Sequence, residues 1–234
     1  MSKAKERLDP LSEDVDRIQA FIHLQRYKYA SREIHGDILD VGCGLGYGSK
    51  MLYDDYKSVI AFDISKDAIL YAKKKYKGPI YLRADAQTLP FKDEIFDSVV
   101  ALEIIEHVNS DIQMLKEIFR VLKKNGILIL STPNVAHLQN RIKSLLLMKN
   151  LIKKYAHKPK NPYHKREYTP KQIAKLLKSA GFIIEKKWGQ ILTLPLVNRF
   201  PPPLCVNTGR ILPDFSLHII YKARKPKQTS KKKT

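Results

Sequence analysis

Residues 38–48 read Ile-Leu-Asp-Val-Gly-Cys-Gly-Leu-Gly-Tyr-Gly, an apolar run that enters a turn with glycine at every second position. The apolar run is typical of a strand buried in a parallel sheet. Because glycine has no Cβ, a ligand can approach the backbone of the turn at the start of the next helix. Residues 58–62 form the next apolar run and deliver Asp63 beside that turn. Its carboxylate can accept hydrogen bonds from both hydroxyls of a ribose, so the pattern predicts a nucleoside site.

The spacing of the glycines distinguishes two classes of nucleoside cofactor. Nicotinamide and flavin dinucleotides are bound by a Gly-x-Gly-x-x-Gly/Ala turn. Counted from Gly42 the last position of that pattern is Tyr47, and counted from Gly44 it is Ser49. The chain therefore lacks the dinucleotide pattern in either register.

Four segments in this order resemble the motifs of class I S-adenosylmethionine (SAM)-dependent methyltransferases of the type 11 and ubiquinone-type O-methyltransferase kind. The resemblance covers roughly residues 23–188 and implies an enzyme that uses SAM as its cofactor. The segments are residues 39–46, 62–65, 84–86 with 89–91, and 96–100 with 103–108.

The resemblance also implies roles for individual residues. Asp63 would bind the ribose, Ile64 would contact the adenine ring and Asp85 would bind the adenine edge. The glycines would give the methionine end of the cofactor access to the backbone, and Glu103 would lie near the cofactor. The implied cofactor-binding residues are Asp40, Gly42, Cys43, Gly44, Gly46, Asp63, Ile64, Asp85, Ala86 and Glu103.

The order of apolar and helical segments predicts an α/β fold. Apolar runs alternate with helical stretches at 66–76 and 111–122, which is the pattern of βαβ units and a parallel sheet. Thr169 and Pro170 are expected to start a later helix, which Gly181 stops. The predicted strands are residues 38–42, 58–63, 80–84, 97–102, 126–131, 182–188 and 215–221.

We therefore expect a Rossmann-like, seven-stranded, mostly parallel sheet with helices on both faces and a basic helical insertion after the fifth strand. Asn125-Gly126 is expected to end the helix 111–122. The predicted units are an N-terminal extension (1–22), a class I methyltransferase domain (23–222) with an insertion (134–166), and a basic disordered tail (223–234).

The length and composition of the chain are typical of a single globular domain. With 234 residues and 44% apolar side chains, it suits one α/β domain. We see no secretory signal, and no run approaches the ~20 apolar residues of a membrane span. Cys43 and Cys205 do not form a Cys-x-x-Cys pair, so reduced thiols are expected. The expected location is the cytoplasm.

The net charge of +20 is concentrated in the second half of the chain. Residues 1–140 carry 20 acidic and 20 basic side chains, residues 141–190 carry 2 acidic against 14 basic, and residues 222–234 add 7 basic ones. Because ligands bind at the carboxyl ends of parallel strands, the insertion is expected over the substrate. A basic surface there favours an anionic partner, although it can equally be a solvated surface that serves solubility.

Apolar residues recur at steps of three or four in the insertion, with lysines between them, so a basic amphipathic helix is expected. Such a helix can pack on its own domain as a lid or lie on an anionic membrane surface. Peripheral contact with a membrane is therefore one expected partner interaction.

His107, just after the fourth strand, is the candidate catalytic base, because histidine can take a proton from a hydroxyl near neutral pH. The alternative is a structural histidine that is hydrogen-bonded to the backbone. Glu103, Glu106 and His107, with His164 further along, also resemble the metal-binding segments of plant-type small-RNA 2′-O-methyltransferases. Spacing alone cannot show that these groups converge, and we assign no metal ligand from the sequence.

The expected function is methyl transfer from SAM to an oxygen of an anionic or amphiphilic small molecule, such as a glycan, lipid or quinone-type intermediate. Enzymes that methylate the exocyclic amines of nucleic-acid bases typically carry Asn/Asp-Pro-Pro-Tyr/Phe after the fourth strand. This chain has Leu-Glu-Ile-Ile there (residues 102–105), so methylation of base amines is disfavoured. Two alternatives stay open. One is an RNA 2′-O-methyltransferase, with or without a metal, and the other is a SAM-binding protein without turnover.

Overall fold

The computed structural model describes a central sheet of seven strands with the order β3-β2-β1-β4-β5-β7-β6. All neighbouring strands are parallel except β7, which runs antiparallel to β5 and β6. The described residues are 9–12, 15–146, 150–157, 159, 161–191 and 211–227. The strands are β1 (Ile38–Val41), β2 (Val59–Asp63), β3 (Ile80–Arg83), β4 (Phe96–Leu102), β5 (Leu122–Pro133), β6 (Ile183–Gln190) and β7 (His218–Arg224).

Helices cover both faces of the sheet, as the sequence predicts. Buried residues of α1, α2 and α3 form one core layer, for example Tyr27, Leu52 and Ile69. Met114 and Ile173, from α4 and α7, belong to the layer on the other face. The helices are α1 (Arg17–Ser31), α2 (Tyr47–Tyr56), α3 (Lys66–Lys75), α4 (Asp111–Val121), α5 (Leu138–Leu146), α6 (Leu151–His157) and α7 (Pro170–Ser179).

The strand order reverses next to β1, which lies between β2 and β4. In open α/β sheets the crevice at the carboxyl ends of the strands beside such a reversal is where ligands bind. The turn after β1, Asp63 at the end of β2 and Glu103 just after β4 all lie at this edge. The topology therefore brings the predicted site residues to one place.

One turn differs from the sequence prediction. Helix α4 ends at Val121, and Asn125-Gly126 lies inside β5 instead of ending the helix. Asn125 has a φ of +63°, and the register against β4 shifts between Phe96 and Ser98. Asn-Gly favours any turn that needs a positive φ, and here it serves an irregularity in a strand.

The basic insertion is helical, but it contains two short helices, α5 and α6, where the sequence pattern suggests one. At the ends of the predicted domain, α1 crosses the boundary after residue 22 and β7 continues to Arg224. Cys205 and residues 228–234 of the predicted tail lie outside the described residues. Among the helices that the structure describes, none is both long and apolar enough to cross a membrane.

Candidate functional site

The glycine turn after β1 is shaped by close contacts on one side and by open space on the other. At Gly42 (φ +72°) a Cβ would lie 2.7 Å from Cδ1 of Ile104, and at Gly46 (φ +87°) it would lie 2.6 Å from Cβ of Ala72. At Gly44 a Cβ would meet no atom within 4 Å. The first two glycines are therefore needed for packing, whereas Gly44 leaves its backbone accessible to a ligand.

Asp63 connects the end of β2 to this turn. Its Oδ2 accepts a 3.1 Å hydrogen bond from the amide of Gly44, and its Oδ1 accepts one of 2.8 Å from the amide of Ser65. The next side chain, Ile64, is 59% exposed, which is unusual for a large apolar residue at the end of a core strand. An acceptor carboxylate, an accessible backbone and an exposed apolar side chain together fit a nucleoside.

Asp85 and Ala86 form the turn that follows β3. The carboxylate of Asp85 accepts hydrogen bonds from the backbone amide and the side-chain amide of Gln87, at 2.9 and 3.2 Å. Ala86 is buried in the core. Asp85 is thereby held in a fixed orientation after β3, the neighbour of β2. Its assignment to the adenine edge stays a prediction.

Asp40 is fully buried in β1, beneath the glycine turn. Its Oδ2 accepts a 2.6 Å hydrogen bond from the hydroxyl of Ser49, and the hydroxyl of Tyr27 lies 3.3 Å from both carboxylate oxygens. Burial raises the pKa of Asp40 to about 7. Burial also raises the pKa of the Cys43 thiol, so this cysteine is a neutral packing residue at neutral pH.

Glu103 follows β4 with a φ of +54°, a conformation that non-glycine residues rarely adopt. Its Oε1 accepts a 2.7 Å hydrogen bond from the hydroxyl of Ser131. Its Oε2 lies 3.3 Å from Nη1 of Arg26 and 2.8 Å from Nδ1 of His218, the latter an electrostatic contact rather than a directed hydrogen bond. Burial alone would raise the pKa of Glu103, but Arg26 and His218 hold it below its usual range.

Arg26 is a buried residue of the site that sequence reasoning did not select. It comes from α1, and its Nε donates a 2.7 Å hydrogen bond to Oε1 of Gln190 at the end of β6. The available signal is an arginine in an aromatic-rich helix just before β1, in the stretch 23–27. That signal is weak because arginine is mostly exposed in proteins.

His107, Glu106 and His164 converge beyond the end of β4. Nδ1 of His107 lies 3.2 Å from the carbonyl oxygen of Tyr163, and its Nε2 lies 4.0 Å from Oε1 of Glu106. The rings of His107 and His164 meet edge to face, with centroids 5.0 Å apart. Glu103 is not part of this cluster, since its carboxylate faces Arg26 and His218.

Comparison with known proteins identifies the fold and the family. Residues 39–130 match the family described as a methyltransferase domain. A probable S-adenosylmethionine-dependent methyltransferase of Mycolicibacterium smegmatis is 31% identical over 153 residues, which make up 65% of this chain and 54% of that protein. The ubiquinone biosynthesis O-methyltransferase of Rickettsia prowazekii is 32% identical over 164 residues, 67% of this chain and 62% of that protein.

Among solved structures, a SAM-dependent methyltransferase from Thermotoga maritima, a possible histamine N-methyltransferase, has a TM-score of 0.65 and 21% identity, over 89% of this chain and 92% of that one. At this identity the likeness shows the fold. The chain spans about half the length of the mycobacterial relatives that it matches. Family, relatives and fold agree with the predicted motifs, and the chain therefore carries a methyltransferase domain of the class I, SAM-dependent family.

Proposed function

We propose that this protein transfers a methyl group from SAM to an oxygen of an anionic or amphiphilic small molecule, such as a glycan, lipid or quinone-type intermediate. The observation that carries the oxygen assignment is the orientation of His107. The Tyr163 carbonyl accepts from Nδ1, 3.2 Å away, which places a proton on Nδ1, so in the neutral ring the lone pair lies on Nε2. A neutral imidazole nitrogen of this kind can take a hydroxyl proton near neutral pH.

The cofactor side of the proposal rests on the edge formed by β1, β2 and β3. The backbone at Gly44 would face the methionine end, Asp63 would bind the ribose hydroxyls, and Ile64 with Asp85 would contact the adenine. When bound, SAM supplies a methyl group that its sulfonium sulfur releases. The chain itself aligns the acceptor and receives the acceptor's proton at Nε2 of His107.

The acceptor class is supported by charge and by exposed apolar side chains in the insertion. Leu145 and Leu146 at the end of α5 are 79% and 74% exposed, and Lys153 and Lys154 are exposed on α6. Exposed leucines on one helix and exposed lysines on the next suit an amphiphile with an anionic group, or peripheral contact with an anionic membrane. The ubiquinone-type relative supports a small-molecule acceptor. We propose a cytoplasmic protein that reaches such molecules at the membrane surface.

The test is incubation of the full chain with radiolabelled SAM and separated lipid, carbohydrate, RNA and protein fractions. Label in the lipid or carbohydrate fraction, recovered as a methyl ether or ester, is the expected result. Label on nitrogen, or label confined to protein, would overturn the oxygen assignment. A chain that binds SAM but labels no fraction would favour the alternative of a binding protein without turnover.

A second function, RNA 2′-O-methylation, is favoured by one observation. Of the four residues in the resemblance to small-RNA methyltransferases, Glu106, His107 and His164 converge and Glu103 does not. The cluster belongs to a chain whose second half is basic. This function predicts label in the RNA fraction and an affinity for RNA that falls steeply as the salt concentration rises. The reason is that a protein which binds the RNA phosphates releases their counterions, and added salt opposes that release.

A further inference from the structure

Glu106 holds a buried carboxylate next to His107 and His164. Its side chain is 1% exposed, and Oε2 accepts a 3.0 Å hydrogen bond from the hydroxyl of Thr132. Among the residues that the structure describes, Oε1 has no hydrogen-bond partner. A buried acceptor without a donor is costly, so a ligand that satisfies it would stabilise the site.

Two imidazoles lie beside this oxygen. Glu106, His107 and His164 each offer one ligand atom, and these atoms all lie within 4.8 Å of one another. Nε2 of His107 lies 4.0 Å from Oε1 of Glu106. This separation is too long for a hydrogen bond between the two atoms. Two ligands bound at about 2.1 Å to one tetrahedral cation lie about 3.4 Å apart, so the side chains would move slightly closer together on binding.

The other ring nitrogens are held in the way that metal-binding histidines require. Nδ1 of His107 faces the carbonyl oxygen of Tyr163 at 3.2 Å, and Nδ1 of His164 faces Oε1 of Glu167 at 3.2 Å. A histidine that binds a metal almost always donates its second ring N–H to a carbonyl or carboxylate, which fixes the ring and leaves the other lone pair for the metal. Both rings therefore present Nε2 as the ligand atom.

We propose that Glu106, His107 and His164 bind a divalent first-row transition cation at the acceptor side of the active site. Two imidazoles with one carboxylate suit Zn²⁺, Co²⁺, Ni²⁺ or Fe²⁺ better than Mg²⁺ or Ca²⁺, which prefer oxygen ligands alone. Three protein ligands leave positions open for an acceptor oxygen, as in catalytic metal sites. At His164 the cation would replace the side-chain amide of Asn161, which lies 2.9 Å from Nε2.

This inference deepens the proposed function, on which its catalytic meaning rests. A cation that binds the acceptor oxygen would lower the pKa of the acceptor hydroxyl, so that its proton could pass to solvent water instead of to a histidine base. With the cation in place His107 is a ligand, and without it His107 is the proton acceptor. Cation binding itself can be measured without SAM or an acceptor, so the two proposals can fail separately.

The experiment is a titration of the chelator-treated, tag-free full chain with Co²⁺, followed by visible absorption and calorimetry. We expect one tight site per chain with the d–d bands of a nitrogen- and oxygen-bound Co²⁺. His164→Ala and the near-isosteric Glu106→Gln should each weaken this binding at least about tenfold. Thermal unfolding of Glu106→Gln, which keeps the shape of the side chain, checks that the loss is not a loss of fold.

His35→Ala is the matched control, because His35 is exposed and precedes β1, at the opposite end of the strands from Glu106. It should bind Co²⁺ as the parent does. Three results would each overturn the proposal: no Co²⁺ bands in the parent chain, undiminished bands in His164→Ala and Glu106→Gln, or an equal loss in His35→Ala. If the bands behave as expected but no fraction is labelled by SAM, the cation site stands and the proposed transfer reaction fails.

Discussion

The backbone amide of Gly44 donates a 3.1 Å hydrogen bond to Oδ2 of Asp63, which joins the turn after β1 to the end of β2. The other carboxylate oxygen accepts from the amide of Ser65. Asp63 thus fixes the turn that would face the cofactor and also presents the acceptor atoms that a ribose needs. A change at Asp63 should therefore alter local structure and ligand affinity together, and these effects have to be separated.

Asp63→Ala should weaken SAM binding by about 10- to 100-fold, because hydrogen bonds to a charged group contribute about 1.5–3 kcal/mol each. Asp63→Asn keeps an acceptor oxygen for the backbone amides, so its SAM affinity should lie between that of the parent chain and that of Asp63→Ala. Calorimetry with SAM measures both variants. Asp67→Ala, an exposed aspartate four residues later in α3, should keep the parent affinity. An unchanged affinity in Asp63→Ala would remove the ribose assignment.

Two glycines of the turn should respond differently to alanine: Gly44→Ala should mainly reduce SAM affinity, and Gly46→Ala should mainly reduce stability. Gly44→Ala places a Cβ in open space, so we expect a loss of about 1–2 kcal/mol from the positive φ, with SAM binding strongly reduced. Gly46→Ala drives a Cβ to 2.6 Å from Ala72 and should destabilise the fold by roughly 2–4 kcal/mol. Urea unfolding and SAM calorimetry give the two readouts. Equal stability losses with equal affinities would contradict the assignment of Gly44 to the ligand side.

The buried Asp40 predicts a pH dependence of stability. Its folded pKa is about 7, above the 3.8 of an aspartate in water, so the folded state holds the proton more tightly than the unfolded state. Its contribution is therefore complete below about pH 4 and is lost as the pH rises through 7. Asp40→Asn cannot titrate and should gain about 2–3 kcal/mol relative to the parent between pH 5 and pH 8. Urea unfolding at both pH values measures the difference, and a constant difference would exclude the shifted pKa.

The sequence predicts the site best where one continuous segment builds it. The glycine turn, Asp63 and Ile64 are each specified by a strand and the few residues after it, so spacing and topology were enough to place them. The pairing of Arg26 with Glu103 was missed, since it joins α1 to the residue after β4. The relative positions of such elements depend on packing of the whole sheet, which local patterns do not contain.

A local sequence pattern also gives the wrong prediction where the same pattern is compatible with two different local structures. Asn125-Gly126 satisfies a helix end and a turn within a strand equally well, and only the pairing of β4 with β5 decides between them. The convergence of Glu106, His107 and His164 has a related origin. The amide of Lys165 donates to the carbonyl oxygen of Glu106 at 2.9 Å, which brings the two segments together after folding.

His107→Ala should lower the rate of methyl transfer by about 100-fold or more while SAM affinity stays unchanged, because the proposed function places His107 at the acceptor and not at the cofactor. The reason is loss of the proton acceptor or, if the cation is bound, loss of one of its ligands. Initial rates with the labelled fraction and calorimetry with SAM measure the two quantities. His35→Ala should match the parent in both. A full rate in His107→Ala would return His107 to a structural role.

Arg26 and Glu103 should behave as one unit in a double-mutant cycle. Their side chains are 5% and 19% exposed and lie 3.3 Å apart. Arg26→Met therefore leaves a mostly buried carboxylate whose remaining contacts, among the described residues, are Ser131 and His218. Breaking a buried pair costs about 3–5 kcal/mol, and the remaining contacts place the expected loss near 3 kcal/mol. Glu103→Gln in the Arg26→Met background removes the stranded charge and should recover part of that loss. Urea unfolding of the four proteins gives the coupling energy. If the double variant is as unstable as the sum of the single ones, the two residues do not support each other.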